Sequence, residues 1–312
     1  MSGSGQLQKG RPDHDHHGWD PLPFRTAMEF ANGKALGICP VISFETHEDK
    51  LPPDWPQPNW MAGGVGLRPD PNIARIGQRD YGLRAGWPRL RHAILQAGLS
   101  YGAAMDVLTA ERRPDLVAQI GRDVAQGRAE WVAHGLSVNR PIHDAMTIDQ
   151  ERAYIAEAKD RLLALQINPT GWHGIEYGES RRTPALLAEA GYNYTLDWCS
   201  DEQPFAMTVP HGRLTALPQM ADLDDGFAFA APRGITPESY AERIEAAGRQ
   251  LAIDGRKSAR VMLWHMRPFL SGQPFRIAGI ERALMALGSL QEAYSATPSK
   301  LLCDIRLEGQ TP

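Results

Sequence analysis

The chain is poor in cysteine, with three in 312 residues: Cys39, Cys199 and Cys303. An odd, scattered set argues against a disulfide framework and predicts a reducing, cytoplasmic setting. Cys199 has no base in register with it and reads as a core thiol rather than a nucleophile. Long apolar runs are missing too. None reaches the length that crosses a bilayer, and MSGSGQLQKG at the start lacks the apolar core of a secretory signal, so no membrane partner is expected. No cluster of Lys and Arg stands out, and the net charge of -4 with 22% charged residues is ordinary, which excludes nucleic acid as an expected partner. Internal repeats are absent, which excludes a solenoid. Without a composition break, residues 21–312 are expected to form one catalytic domain behind a flexible tail, 1–20. That tail holds His14-Asp15-His16-His17. A flexible segment imposes no coordination geometry, so no metal site is assigned to it.

What is present is a recurring event. Val41-Ile42-Ser43-Phe44 reads as a buried strand and runs into Glu45; Trp131-Val132-Ala133 runs into His134, Tyr192 to Leu196 into Asp197, and Val261 to Trp264 into His265. Helical patterns lie between these runs. Titratable residues at successive strand ends, separated by helices, are the pattern of a β/α barrel whose reactive groups gather at the C-terminal ends of its strands.

Helix punctuation supports this alternation. Pro88 marks a start within 81–99, Pro114 opens a helix to about Gln126, and Thr147-Ile148-Asp149-Gln150 is a capping box for a helix to about Leu165. A helix is expected over 183–190, one from Thr236-Pro237-Glu238 to about Ile253, and one over 277–287. Strands are expected at 34–45, Tyr101 to Val107, 192–196, 260–264 and near Leu301. The Pro-, Gly- and Trp-rich stretch 51–72 is long for a connection and predicts a lid or a subunit contact.

The motifs YGLRAGWPRL (81–90), WVAHGL (131–136), GWHG (171–174), AEAGYNYTLDWCSDEQPF (188–205) and WHMRPFLSGQPFRI (264–277) follow in one order. In that order and spacing the chain resembles the NodB-homology polysaccharide deacetylase superfamily, and within it the branch of metal-independent allantoinases and imidase-like proteins. The resemblance covers residues 20 to 305. It implies a deformed seven-stranded (β/α) barrel and hydrolysis of a non-peptide C–N bond. Metal-dependent members of that superfamily carry a base and an acidic ligand at the first strand end and two His ligands four residues apart. Here those positions hold Glu45, Thr46, His134 and Val138. Two of three ligand positions lack a suitable donor, so no metal ligand and no cofactor are assigned. The alternative is a zinc site rebuilt around His47, giving an N-deacetylase of an acetylated saccharide.

Amide hydrolysis needs an activated water, a stabilised oxyanion and a protonated leaving nitrogen. Glu45 is expected to be the base, its pKa raised by burial; His265 the acid, oriented by Asp197; and His134 a group that polarises the carbonyl. Arg84 is expected to pair with Glu45 or grip the substrate. Trp172, Trp198 and Phe205 are expected to wall a pocket for a small planar ring, with Asp201 touching its polar groups. The expected partner is a small cyclic amide, ureide or imide, and the expected assembly is a homodimer or tetramer. A third possibility is an inactive homologue kept as a binding subunit.

Overall fold

A computed structural model describes residues 14–48, 60–61, 64–65, 73–229 and 234–307. Seven parallel strands form its centre: β1 (Leu36–Phe44), β2 (Tyr101–Met105), β3 (Ala129–Ala133), β4 (Gly171–Trp172), β5 (Tyr194–Thr195), β6 (Thr215–Ala216) and β7 (Arg260–Met266). They lie side by side in the order β7-β1-β2-β3-β4-β5-β6. Beyond β6, Gln219 bridges Leu263 of β7 in parallel, and the Met220 N–H donates to the Leu263 carbonyl at 2.7 Å. That bridge joins the two ends of the sheet, so the seven strands make a barrel. Most of its connections are helices, as parallel strands require.

Register decides what faces inward. Ser43 pairs with Ala104, Ala104 with Val132, Val132 with Gly171 and Gly171 with Tyr194. This row belongs to the inner face, where Cys39, Val41, Ala104, Val132, Tyr194, Leu196, Leu217, Val261 and Leu263 form one apolar cluster. Strand side chains alternate, so two residues further along the same face bears Glu45, Asp106, His134 and His173, and β7 adds His265 after Leu263. The interior is therefore hydrocarbon below and titratable at the C-terminal mouth. The opposite parity, including Ile42, Phe44, Trp172 and Trp264, packs outward against the helices. Gly171 must be glycine, because a Cβ there would overlap the Tyr194 ring.

The N-terminal end is stoppered by an antiparallel pair, Met28–Phe30 with Ile305–Leu307. Met28, Phe30 and Leu301 join the inner apolar cluster there.

Several expected boundaries shift for identifiable reasons. β2 stops at Met105, because Asp106 caps a short helix, Val107–Arg112, by accepting the Thr109 N–H. Pro88 does not start its helix: Ile73–Tyr81 runs through a π-helical turn, Gly82–Gly86, into Trp87–Gln96, and the helix tolerates Pro88 near the start of that last segment. Around Leu301 the chain is helical, Pro298–Asp304, and the strands flank it at Ala293–Ser295 and Ile305–Leu307. The capping box at Thr147 and Gln150 is present, heading Ile148–Ala164. Of the expected tail, His14, His16 and His17 pack around the Trp198 ring. Of the expected lid, only Trp60–Met61 and Gly64–Val65 are described, as a small antiparallel pair; the rest of 51–72 lies outside the described residues.

Candidate active site

Glu45, His134, His173 and His265 converge at the barrel mouth, each at most 3% exposed. His134 and His173 stack with centroids 5.0 Å apart, and His265 stands edge-on to His173 at 4.7 Å.

Glu45 sits between Arg79 and His134. Arg79 Nε lies 2.8 Å from its Oε2, and His134 Nε2 lies 3.4 Å from its Oε1. Burial pushes the carboxyl up, but Arg79, the hydrogen bond from His134 and the field of Arg267 outweigh it and hold the pKa well below the usual carboxylate range. The expected raised pKa is thus reversed, because the expectation had burial without these partners. Arg84 does not supply the charge; it is exposed on the π-helical turn, and Arg79 in the preceding turn reaches inward instead.

His134 donates Nδ1–H to the His173 carbonyl at 2.6 Å, so both its nitrogens face acceptors. Burial opposes its charge, yet Glu45 and that carbonyl raise its pKa above the ordinary value. The arrangement suits an imidazolium.

His265 is the reverse case. Its Nδ1–H donates to Asp224 Oδ2 at 3.0 Å, while Nε2 is buried with no hydrogen-bond partner. Burial first, then the Arg267 charge, push its pKa down to about 3, despite Asp224. At neutral pH it is an uncharged imidazole with a free lone pair.

The carboxylate that orients His265 is therefore Asp224, not Asp197. Leu196 occupies the inward position on its strand, so Asp197 has the opposite parity. Asp197 Oδ1 instead accepts Nδ1–H of His173 at 2.8 Å and the Gly174 N–H at 2.8 Å. Asp224 is anchored from several sides: Oδ1 accepts from Arg267 at 2.6 Å and from the Gly226 N–H at 2.7 Å, and Oδ2 accepts from Tyr177 Oη at 2.8 Å. Burial would raise its pKa, but Arg267 and His265 drive it far below the usual range. Beside it Asp225 takes the Arg267 N–H and the Ser271 hydroxyl, both at 2.7 Å, and burial pushes it up to about 7. Tyr177 reaches Asp224 from a strained turn, since Glu176 and Tyr177 both hold left-handed backbone at φ 53 and 57.

The expected pocket walls go elsewhere. Trp172 has outward parity and is enclosed between Tyr154 and Tyr192. Asp201 is tied to Arg25, and Phe205 packs on His17. Trp198 donates Nε1–H to Glu179 at 2.9 Å and packs on the N-terminal histidines. The flat surface near His265 is Tyr177 stacked on Phe227 at 5.9 Å and 25°, with Tyr177 6.3 Å from the His265 ring.

The donors expected of a metal-dependent relative do not fit an ion. The Thr46 hydroxyl is bonded to Thr109 at 2.8 Å, Val138 is buried hydrocarbon, and His47 Nε2 faces Asn139 Nδ2 at 3.3 Å. Among the described residues no three of His, Cys, Asp and Glu are placed to hold a metal.

Among the residues that hold or flank Glu45, His134 and His265, Arg79, His173, Asp224 and Arg267 had no role assigned from sequence. Two carried a usable signal, because His173 falls in GWHG at a strand end and Arg267 follows His265 by two. Arg79 and Asp224 lie on segments whose approach to the mouth is purely tertiary.

The sequence matches no protein-family profile and no curated protein. Solved structures do match. A Puue allantoinase superposes with TM-score 0.74 at 21% identity, covering 87% of this chain and 90% of that one. A probable polysaccharide deacetylase of Pseudomonas aeruginosa PAO1 gives 0.73 at 20%, covering 87% and 91%. A protein of Mycobacterium smegmatis assigned to the polysaccharide deacetylases gives 0.73 at 21%, covering 92% and 96%. With seven parallel strands closed by the Gln219 bridge and charged groups at their C-terminal ends, the chain has the deformed (β/α) barrel of these allantoinase and deacetylase structures.

Proposed function

We propose that the protein hydrolyses the C–N bond of a small cyclic amide, ureide or imide with protein groups alone, His265 acting first as base and then as acid. The observation that carries this is the unpartnered Nε2 of a buried, Asp224-held imidazole beside His134. An amide carbon is attacked by water only as a proton leaves that water, and Nε2 of His265 is the free lone pair at the mouth. Water oxygen bonds to the carbonyl carbon, and the proton passes to Nε2. The oxyanion gains from His134, whose pKa Glu45 raises. His265 then gives the Nε2 proton to the leaving nitrogen as the C–N bond breaks, leaving on the opened chain a carboxylic acid and the amine, amide or urea released from a cyclic amide, imide or ureide. Glu45 is not given this role, because Arg79 and His134 already face its two carboxylate oxygens, whereas Nε2 of His265 faces no partner. Glu45 acts instead through His134. The Tyr177–Phe227 stack offers one flat side to a planar ring.

The test is a panel of cyclic imides, hydantoins, ureides and N-acetylated sugars, assayed with and without chelator. Turnover of a cyclic member, unchanged by chelator and lowered about 10²- to 10⁴-fold in His265→Asn, is the expected result. Activity that vanishes with chelator and returns with zinc, or a His265→Asn enzyme as fast as the parent, would sink the proposal.

A further inference from the structure

Beside Glu45 lies a cavity of about 10 Å³, lined by Ser43, Glu45 and Arg79 together with Gly82, Leu83 and Phe269. Each of its three polar side chains has a buried atom without a hydrogen-bond partner: Ser43 Oγ, Glu45 Oε2 and Arg79 Nε. The last two are 2.8 Å apart and form an ion pair, yet the Nε–H is not directed at the carboxylate oxygen. The donor of Arg79 and a lone pair of Glu45 are both left to serve a third group. The remaining wall is hydrocarbon or aromatic, with the Arg79 guanidinium 3.9 Å above the Phe269 ring.

We propose that a single water molecule is built into the protein here, bridging Ser43 Oγ, Glu45 Oε2 and Arg79 Nε. The space admits roughly one water, and a buried water ordinarily has two to four polar partners. The chemistry of the three atoms selects water over an ion. An anion meets the Glu45 carboxylate, a cation meets the Arg79 guanidinium, and an apolar occupant satisfies none of the three. Water accepts the Arg79 Nε–H and donates one proton to Glu45 Oε2 and the other to Ser43 Oγ. Every orphaned atom is then paired.

The site gives Ser43 a positioning role. Ser43 precedes Glu45 by two on β1 and shares its inward parity, so the water ties the strand to the far oxygen of Glu45, whose near oxygen faces His134. Ordering at Oε2 keeps the carboxylate aimed and charged toward His134. None of this depends on the reaction proposed above, because both readouts below need no substrate, and their failure would leave the hydrolysis assay standing.

Crystals of the full chain without ligand, diffracting well enough to order single waters, test the proposal directly. A density peak within hydrogen-bond distance of all three atoms is expected, weakened in Ser43→Ala and lost in Ser43→Val, whose added methyl groups occupy the space. In solution, the NMR titration midpoint of His134 is expected to fall in Ser43→Ala. A merely structural role for Ser43 would lower stability without moving that midpoint. A dry cavity in the parent protein, a direct Arg79 Nε–H to Glu45 hydrogen bond closing it, or an anomalous bromide peak at the site after soaking would each overturn the proposal. Should neither variant fold, the parent density alone decides.

Discussion

His265 and Asp224 show how one residue's chemistry is set by the charge behind its partner. A carboxylate on Nδ1 ordinarily favours imidazolium, but burial, and after it the positive charge of Arg267 behind Asp224, outweigh that preference and leave His265 neutral. Asp224→Asn should therefore lower turnover by about 10²-fold or more, through loss of the oriented tautomer. It should also lower stability by about 3–5 kcal/mol, because the buried Arg267 then loses the nearest of its carboxylate partners; turnover assays and urea unfolding measure the two. Asp197→Asn acts on His173 and is expected to cost turnover less. A pH dependence follows from His265. Its pKa drops from 6.5 to about 3 on folding, so between those values the unfolded chain binds a proton that the folded protein does not. Stability is then lost as pH falls, by about 1.4 kcal/mol per unit. Asp106 and Asp225, raised from 3.8 to about 7, act oppositely: their contributions are full below 3.8 and fade as pH rises through 7. The clean measurement is thus a difference, parent minus His265→Asn, which should shrink by about 2 kcal/mol between pH 6.5 and pH 4.5. A flat difference would contradict the neutral His265. The ends of strand-like runs put Glu45, His134 and His265 at one mouth from sequence alone, together with Asp197, whose parity sends its carboxylate to His173 instead. Their partners were not legible, because Arg79 and Asp224 arrive on segments that no local pattern orients.

At the level of elements, the helices were readable where chemistry is local. Thr147 with Gln150, and Pro114 and Pro237 near helix starts, act within one turn and needed no tertiary information. Legibility failed where packing overrides local preference, as at Pro88, carried within a helical run that continues from Ile73, and around Leu301, where a helix brings an apolar side chain to the barrel floor. The helical run from Ile73 to Gln96 also fixes the site, since it carries Arg79 and meets the short helix Pro268–Ser271 that follows Arg267. That meeting is glycine on glycine: a Cβ at Gly86 would overlap the Pro268 carbonyl, and one at Gly272 would overlap Gly86. Gly86→Ala is expected to cost about 1–3 kcal/mol and to disturb the Arg79–Glu45 pair as the helices part. Gly77→Ala, on the same helix with nothing within 4 Å of its added carbon, should instead stabilise by about 0.5–1 kcal/mol. Thermal or urea unfolding of the two variants gives opposite signs if the contact is as described, and the same sign if it is not.

Across the whole molecule the barrel is a stack with different chemistry at each end. Charged groups cap the C-terminal mouth, while the N-terminal floor is hydrocarbon closed by two segments nearly 280 residues apart, Met28–Phe30 and Ile305–Leu307. The floor pair has no contact with His265 or Glu45, so stability and site geometry should separate. Met28 and Phe30 are 4% and 3% exposed beneath that pairing. Ending the chain at Asp304 removes the strand that pairs with them, and uncovering two large apolar side chains costs roughly 1.5–3 kcal/mol each, so the truncated protein should lose about 3–6 kcal/mol. A barrel whose two ends are joined through one core should lose that stability in a single transition rather than shed the floor first. Urea unfolding followed by tryptophan fluorescence, beside NMR spectra of the histidine rings in the folded truncated chain, gives the answer. A lowered midpoint with unchanged His134 and His265 resonances is the expected outcome. Shifted histidines at unaltered stability would mean that the floor and the mouth are coupled through the strands, and that the independence argued from the pairing is wrong.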